Sequence, residues 1–405
     1  MLNRRTLLAA GAAAIAGPLA APRIGHAADL TGVTADEIKI GSIFPYSGPA
    51  SAYGVIGRLQ QAFFKGINDA GGFQGRKLNF LTYDDGYSPP KAVEQARRLV
   101  EQDKVSFLFN TLGTPSNTAI QRYMNQRKVP HLFLATGADK WADPEHFPWT
   151  IGYQPSYRTE AQIFAKFMLE ADRNAKLGIL YQNDDFGKDY VNGVKDILGP
   201  RFDAMVKPVS YEVTDATIDS QVVQLQSLGC DAMLTAATPK FAAQTIRKVF
   251  DIGWRPKLHF ITDVSISVGA VMNPAGPEKG VGVITAAYLK EPTDPAWAND
   301  PGLNEWRGWM RQHMPDADQT DGNYVYSYGV AKCMMQVLTQ CNGDFSRENI
   351  MKQATSLSGV AIPSLINGIT VSTSASNYHP IRQMQLAKWD GHTWERFGGL
   401  IEGAG

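Results

Sequence analysis

Two pairs of adjacent aspartates are the side chains that most readily suggest acid–base or metal chemistry in this sequence. Asp84-Asp85 and Asp184-Asp185 each stand at the end of a predicted strand. Neighbouring residues of an extended segment point to opposite sides, so the two carboxylates of one pair cannot easily share an ion or a proton. Aspartate also favours the turn that leads into a helix. We therefore predict turn-forming roles for both pairs.

Other patterns that would place a cofactor, a metal or a nucleophile are missing from the sequence. It has no phosphate-binding glycine motif, no H-E-x-x-H and no G-x-S-x-G, and its 7 histidines include no pair four residues apart. Cys333 and Cys341 share a predicted helix with Cα atoms about 12 Å apart, beyond disulfide reach. Cys230 is expected in the core. We predict no catalytic residue, no cofactor, no metal site and hence no enzyme.

The composition describes an ordered chain of two or three domains. Of its 405 residues 44% are hydrophobic and 10% aromatic, which argues against disorder. Lysine and arginine together number 39, as do aspartate and glutamate, so the formal net charge is zero. This balance gives no electrostatic reason to expect nucleic acid or an anionic membrane surface as a partner.

The first 27 residues have the pattern of an export signal. Arg4 and Arg5 precede Thr-Leu-Leu and a short apolar run, and small residues precede a cleavage point after Ala27. The paired arginines are similar to a twin-arginine signal, with a general secretory signal as the alternative. No later apolar run is long enough to span a bilayer. We predict a protein that is cleaved near Ala27 and free in the periplasm.

Short apolar runs alternate with helical patterns from Ile38 to about Ile284, which predicts βα units around parallel sheets. The alternation restarts at a helix beginning near Tyr157, and this restart predicts two wound α/β lobes. Three further helices are predicted between residues 303 and 356. The segment Gln383–Phe397 alternates and turns at an Asp-Gly pair, which indicates a β-hairpin.

Several motifs of this sequence resemble those of a known protein family. They include Ser47-Gly48-Pro49, Ala52-Tyr53-Gly54, Pro89-Pro90-Lys91, Asp184-Asp185-Phe186-Gly187 and Val325-Tyr326-Ser327-Tyr328. With these motifs the chain resembles the periplasmic solute-binding proteins of ABC transporters, of the branched-chain amino acid (Leu/Ile/Val) receptor type. The resemblance implies a type I periplasmic binding protein fold, in which three crossovers form a hinge between two lobes and the ligand lies in the cleft. It implies lobe 1 from residues 28–156 plus 285–369, and lobe 2 from residues 157–284 plus 370–405.

In the family, two lobe 1 loops hold the ligand carboxylate through backbone N–H groups and hydroxyls. The resemblance places these loops after the third and fourth strands. Free N–H groups at a helix start favour an anion even without a basic side chain. Two glycines fall where the amino acid receptors carry hydroxyl residues, so either Thr114 or Thr136 replaces those hydroxyls or the site admits a bulkier ligand. The residues assigned to this site are Gly113, Thr114, Ala135, Thr136 and Gly137.

The resemblance assigns four further residues to the cleft. Tyr53 and Phe186 match aromatic residues that pack on the ligand, with a place in the core as the structural alternative. Thr238 stands where the family has a tyrosine. Asp263 matches an acid that pairs with the ligand ammonium group, and its structural alternative is a cap for a helix beginning at Val264.

These features predict a monomeric extracytoplasmic receptor that captures a small carboxylate-bearing solute for the permease of an ABC importer. A hydrophobic or branched-chain amino acid is the leading ligand, and an aromatic or other hydrophobic carboxylic acid is the alternative. A sensor subunit with the same ligand and an exported cofactor-dependent oxidoreductase are the rival functions. The missing phosphate-binding glycines argue against the oxidoreductase.

Overall fold

The computed structural model describes residues 28–403. The predicted export signal, residues 1–27, lies outside the described residues. Within them, no helix has the length and apolar character that a membrane crossing requires. The described chain forms two α/β lobes, each built around its own sheet.

The first sheet is parallel throughout, with the strand order β2-β1-β3-β4-β5. Its inner strands are short, apolar and buried because helices cover both faces. Proline lies in the first turn of two of its helices, where the missing N–H costs no hydrogen bond. The elements are β1 Glu37–Phe44, α1 Gly54–Asp69, β2 Lys77–Asp84, α2 Pro89–Arg97, β3 Phe107–Phe109, α3 Thr114–Gln126, β4 His131–Leu134 and β5 Thr150–Gly152.

The second sheet has the order β12-β11-β10-β9-β8-β6-β7, with β13 paired to β11. Strands β6 to β10 pair in parallel, while β11 joins β10, β12 and β13 antiparallel. The predicted C-terminal hairpin is thereby confirmed. The elements are α4 Tyr157–Ala171, β6 Leu177–Gln182, α5 Asp185–Leu198, α6 Phe202–Met205, β7 Val206–Tyr211, α7 Asp219–Ser227, β8 Ala232–Ala236, α8 Pro239–Asp251, β9 Leu258–Ile261, α9 Asn273–Ala275, β10 Ile284–Ala287, β11 Gln383–Trp389, β12 Trp394–Arg396 and β13 Ile401–Glu402.

The chain passes between the lobes three times. It leaves the first sheet after β5 and enters α4, and it returns after β10 into α10 Pro301–His313 and α11 Gly322–Gln340, which pack on α1. After α12 Arg347–Ala354 it passes back into β11. The predicted α/β class with two wound lobes and three crossovers is therefore confirmed. The lobe limits 28–156 plus 285–369 and 157–284 plus 370–405 stay predictions.

A buried ion pair joins the second crossover to α10. Lys290 Nζ lies 2.8 Å from Asp300 Oδ1, and the two side chains are only 5% and 9% exposed. Asp300 Oδ1 also accepts the N–H of Leu303 and so caps the helix. We expect Asp300→Ala to lower the free energy of unfolding by about 3–5 kcal/mol, because it leaves the Lys290 ammonium buried without its carboxylate.

Chemical denaturation measures this loss. The matched control is Asp69→Ala, whose carboxylate pairs with Lys65 on an exposed helix surface with side chains 62% and 73% exposed. An exposed pair contributes less than about 1 kcal/mol, so this variant should unfold almost like the parent protein. Equal losses in the two variants would contradict the prediction.

Candidate functional site

A cavity lies between the two lobes at the carboxyl ends of their parallel strands. Its empty volume, including the open mouth, is about 1020 Å³. Loops after the strands of both sheets form its walls, because carboxyl ends of parallel strands meet at one edge. Of the nine residues assigned from sequence, seven line this cavity, while Thr136 and Gly137 lie behind its wall. The lining residues are Tyr53, Gly113, Thr114, Ala135, Phe186, Thr238 and Asp263.

The two lobe 1 loops are tied to each other. Leu112 and Ala135 pair as a parallel bridge, and the hydroxyls of Thr114 and Thr136 are 2.6 Å apart. Gly113 precedes α3 with φ +99°, a backbone conformation that side chains disfavour, and no side chain caps the helix start. Thr114, the first residue of α3, lines the cavity, so this helix start borders the cavity with no side-chain cap among the described residues.

Thr136 and Gly137 support this wall. The Thr136 hydroxyl also accepts hydrogen bonds from the N–H of Ala138 and the indole N–H of Trp141. A Cβ atom added at Gly137 would lie 2.2 Å from the carbonyl oxygen of Pro155. Glycine is needed here because the loop touches the first crossover, so packing accounts for the absence of a hydroxyl side chain at this position.

Aromatic rings form much of the cavity surface. The Tyr53 hydroxyl donates to the carbonyl of Val264 at 3.0 Å, a contact that joins the two lobes. The Phe186 ring packs edge-on against Tyr157, with centroids 4.9 Å apart. Sequence reasoning missed Tyr87, Tyr157, Tyr288 and Tyr326 as lining residues. The motif around Tyr326 was one available signal, whereas the other three follow no periodic pattern.

Two buried side-chain oxygens of cavity-lining residues have no hydrogen-bond partner among the described residues. They are Asp263 Oδ2 and Thr238 Oγ1, on side chains of residues only 8% and 2% exposed. Asp263 is the first residue of the turn Asp263–Ser265, and no side-chain cap is formed there. Burial raises the pKa of the Asp263 carboxyl, since the charged form is poorly solvated. These atoms can receive a polar group of a bound molecule.

Glu160 on α4 lies beside Asp263 and was missed by sequence reasoning. Its Oε1 accepts the backbone N–H of Asp263 at 2.9 Å, which places the two side chains beside each other. Glu160 is 1% exposed. Burial and the neighbouring Asp263 both raise its pKa well above the usual range. No sequence pattern predicts that Glu160 is buried, because a glutamate within a helix is normally expected to face solvent.

Charged residues line the cavity near the hinge, and each is engaged with the protein. Lys290 pairs with Asp300, and the Arg396 guanidinium stacks 4.0 Å from the Trp297 ring centroid. Burial raises the pKa of Glu291 to about 7. None of these side chains belongs to the helix start where sequence reasoning placed a ligand carboxylate.

The aspartate pairs have the predicted structural roles. Asp184 caps α5 by accepting the N–H of Phe186, and Asp85 accepts the N–H of Tyr87 and the hydroxyl of Ser116. Asp84 accepts the hydroxyl of Ser47. The prediction of turn chemistry is confirmed for Asp84, Asp85 and Asp184, whereas the Asp185 carboxylate pairs with Lys140.

Two wound α/β lobes joined by three crossovers around a deep cavity define a two-lobed binding protein of type I. The chain belongs to the periplasmic binding protein family, whose model matches residues 37–393. The resemblance inferred from the motifs is thereby confirmed. The family consists of periplasmic solute-binding proteins.

Three known proteins illustrate the range of relatives. The Leu/Ile/Val-binding protein homolog 7 of Brucella suis is 24% identical over 324 residues, covering 76% of this chain and 78% of that protein. A branched-chain amino acid ABC transporter structure from Thermus thermophilus with bound valine has a TM-score of 0.80 at 13% identity, covering 92% and 98%. A solute-binding protein from R. palustris in complex with benzoate has a TM-score of 0.75 at 19% identity, covering 91% and 97%. The two structures show likeness of fold.

Proposed function

We propose that this protein is the periplasmic receptor of an ABC importer and captures a small carboxylate-bearing solute between its lobes. A hydrophobic amino acid is the leading ligand. The observation that carries the proposal is the pairing of an uncapped helix start at Gly113 and Thr114 with a buried, unpartnered Asp263 oxygen in one cavity.

A zwitterion with an apolar side chain matches this arrangement. Its carboxylate would accept from the N–H groups at the start of α3, which favours an anion without a basic side chain. Its ammonium would donate to Asp263, because a buried carboxylate without a partner costs several kcal/mol. Its side chain would pack on the rings of Tyr53 and Phe186. Leu/Ile/Val-binding relatives support this ligand class.

An aromatic or other hydrophobic carboxylic acid is the second candidate. The observation that favours it is the number of tyrosine rings on the cavity wall, together with Thr238 in place of a larger side chain. Such an acid would satisfy Asp263 through a hydroxyl remote from its own carboxylate. The structural relative that holds benzoate is consistent with this candidate.

Thermal unfolding with L-leucine, 4-methylpentanoate, isoamylamine, benzoate and 4-hydroxybenzoate tests the proposal. The first three share a 3-methylbutyl group. L-leucine adds both a carboxylate and an ammonium, 4-methylpentanoate only the carboxylate, and isoamylamine only the ammonium. We expect L-leucine at about 100 times its Kd to stabilise the protein by about 2.7 kcal/mol, since it binds only the folded form. We expect much smaller shifts with the two analogues that lack one charged group. If no amino acid or small carboxylic acid raises the midpoint, the receptor proposal fails.

Export and transport require separate measurements. N-terminal sequencing of the protein from the periplasm should find a chain beginning near Ala28, as expected if residues 1–27 are an export signal. Uptake of the radiolabelled solute should fall when the gene is deleted. Unchanged uptake together with a lost transcriptional response to the solute would support the sensor function instead.

A further inference from the structure

The carboxyl groups of Glu160 and Asp263 form a buried acidic pair beside the cavity. Glu160 extends from α4, while Asp263 follows β9, lines the cavity and has an Oδ2 without a hydrogen-bond partner among the described residues. The Glu160 side chain also bonds the Tyr190 hydroxyl, which in turn contacts Thr262. Glu160 is thus held behind Asp263 by the Tyr190 hydroxyl and the Asp263 N–H, and it does not line the cavity itself.

No ion pair to either carboxyl group exists within residues 28–403, where sixteen ion pairs join other residues. The titratable groups that face Asp263 are Glu160 and five tyrosines from both lobes. Burial raises the pKa of each tyrosine, so all of them stay neutral and add no charge. These tyrosines are Tyr53, Tyr157, Tyr190, Tyr288 and Tyr326.

Two neighbouring buried carboxyl groups without a cation resist double ionisation at neutral pH, so the pair retains one proton, as other carboxyl dyads do. Glu160 is the better site for this proton, because it lies behind Asp263 and both of its oxygens have hydrogen-bond partners. Asp263 lines the cavity and keeps one oxygen without a partner among the described residues.

We propose that Glu160 is a specificity-determining positioning residue. It keeps its proton at neutral pH, uses it to donate a hydrogen bond to Asp263, and so leaves the pair with one negative charge for a ligand ammonium. This inference rests on the proposed function and deepens it. One ammonium then neutralises the pair completely. At acid pH a second proton binds Asp263 and competes with that ammonium, so amino acid binding weakens. A carboxylic acid that meets Asp263 through a hydroxyl has no ammonium and does not face this competition.

The proton on Glu160 can be tested without any ligand. Infrared difference spectra of the full chain at pH 8, parent protein minus Glu160→Gln, should contain the carbonyl band of a protonated carboxyl group. Glu170→Gln is the matched control, since Glu170 is exposed on the same helix and should give no such band. Absence of the band from the Glu160 difference spectrum would overturn the inference.

Calorimetric titration with L-leucine between pH 5 and pH 8.5 tests the competition. We expect affinity to fall toward tenfold per pH unit on the acid side, and Asp263→Asn to abolish this dependence. Glu160→Gln keeps a neutral donor, so its affinity at pH 8 should stay within threefold, whereas Glu160→Ala should lose at least tenfold. If Glu160→Gln weakens binding as strongly as Glu160→Ala, Glu160 is ionised and the inference is wrong.

The failures of the two proposals are distinguishable. Absence of leucine binding at every pH contradicts the proposed ligand class, whatever the infrared spectrum contains. Leucine binding without the infrared band, or with a pH-independent affinity, contradicts only the role given to Glu160.

Discussion

Replacing Gly137 with alanine is expected to destabilise the protein by about 2–4 kcal/mol. The added Cβ would lie 2.2 Å from the Pro155 carbonyl oxygen and 2.9 Å from the Tyr157 ring. Neither can retreat easily, because Pro155 is backbone of the first crossover and the Tyr157 N–H bonds the Gly137 carbonyl at 2.8 Å. We therefore expect the lower stability to be accompanied by loss of ligand binding, as the loop and the crossover both border the cavity.

Denaturation in guanidinium chloride measures the first effect, and titration with the solute found by thermal unfolding measures the second. Gly308→Ala is the matched control, since a Cβ there meets only the Arg311 side chain at 3.8 Å. Gly308 lies within α10, where alanine is the better helix former by about 0.5–1 kcal/mol. The control should be slightly stabilised. A Gly137→Ala protein as stable as the parent would disprove the tight contact.

Much of the fold was predictable because its strands are short apolar runs separated by amphipathic helices. The apolar run Leu258–Ile261 predicts a strand with the bounds that β9 has in the structure. The run Val281–Ala286 predicts a strand from Val281, whereas β10 covers Ile284–Ala287, because Val281 is 58% exposed and lies outside the sheet. Strand β5, Thr150–Gly152, was missed since three residues form no periodic pattern and only their pairing with β4 defines them.

Cavity residues could be predicted from the sequence where they follow the end of a strand. Residues that come from the crossovers between the lobes could not. Thr114 ends the loop that follows β3, and Asp263 lies just after β9, so the parallel-sheet geometry brings both to the cavity edge. Tyr157 and Glu160 belong to the helix that follows the first crossover, and Tyr288 belongs to the second. Their positions depend on how one lobe docks on the other, which hydrophobic periodicity does not encode.

Asp263→Asn is expected to weaken L-leucine binding by more than tenfold, or about 1.4 kcal/mol. The substitution keeps the shape of the side chain and replaces a charge-assisted hydrogen bond to the ligand ammonium with a neutral one. It also removes the negative charge that would face the ligand ammonium. Titration calorimetry of both proteins at pH 8 gives the two dissociation constants.

The analogue 4-methylpentanoate separates the ammonium contact from a general loss of structure. It lacks the ammonium, so Asp263→Asn should leave its affinity unchanged or improve it by removing an unpaired buried carboxylate. Thr238→Val is the second comparison, because it removes the other unpartnered oxygen of the cavity without changing any charge. Its effect on leucine should stay below that of Asp263→Asn, since a neutral hydrogen bond is the weaker of the two. Equal leucine affinity in the parent and in Asp263→Asn would remove the case for an ammonium-bearing ligand and favour a carboxylic acid that meets Asp263 through a hydroxyl.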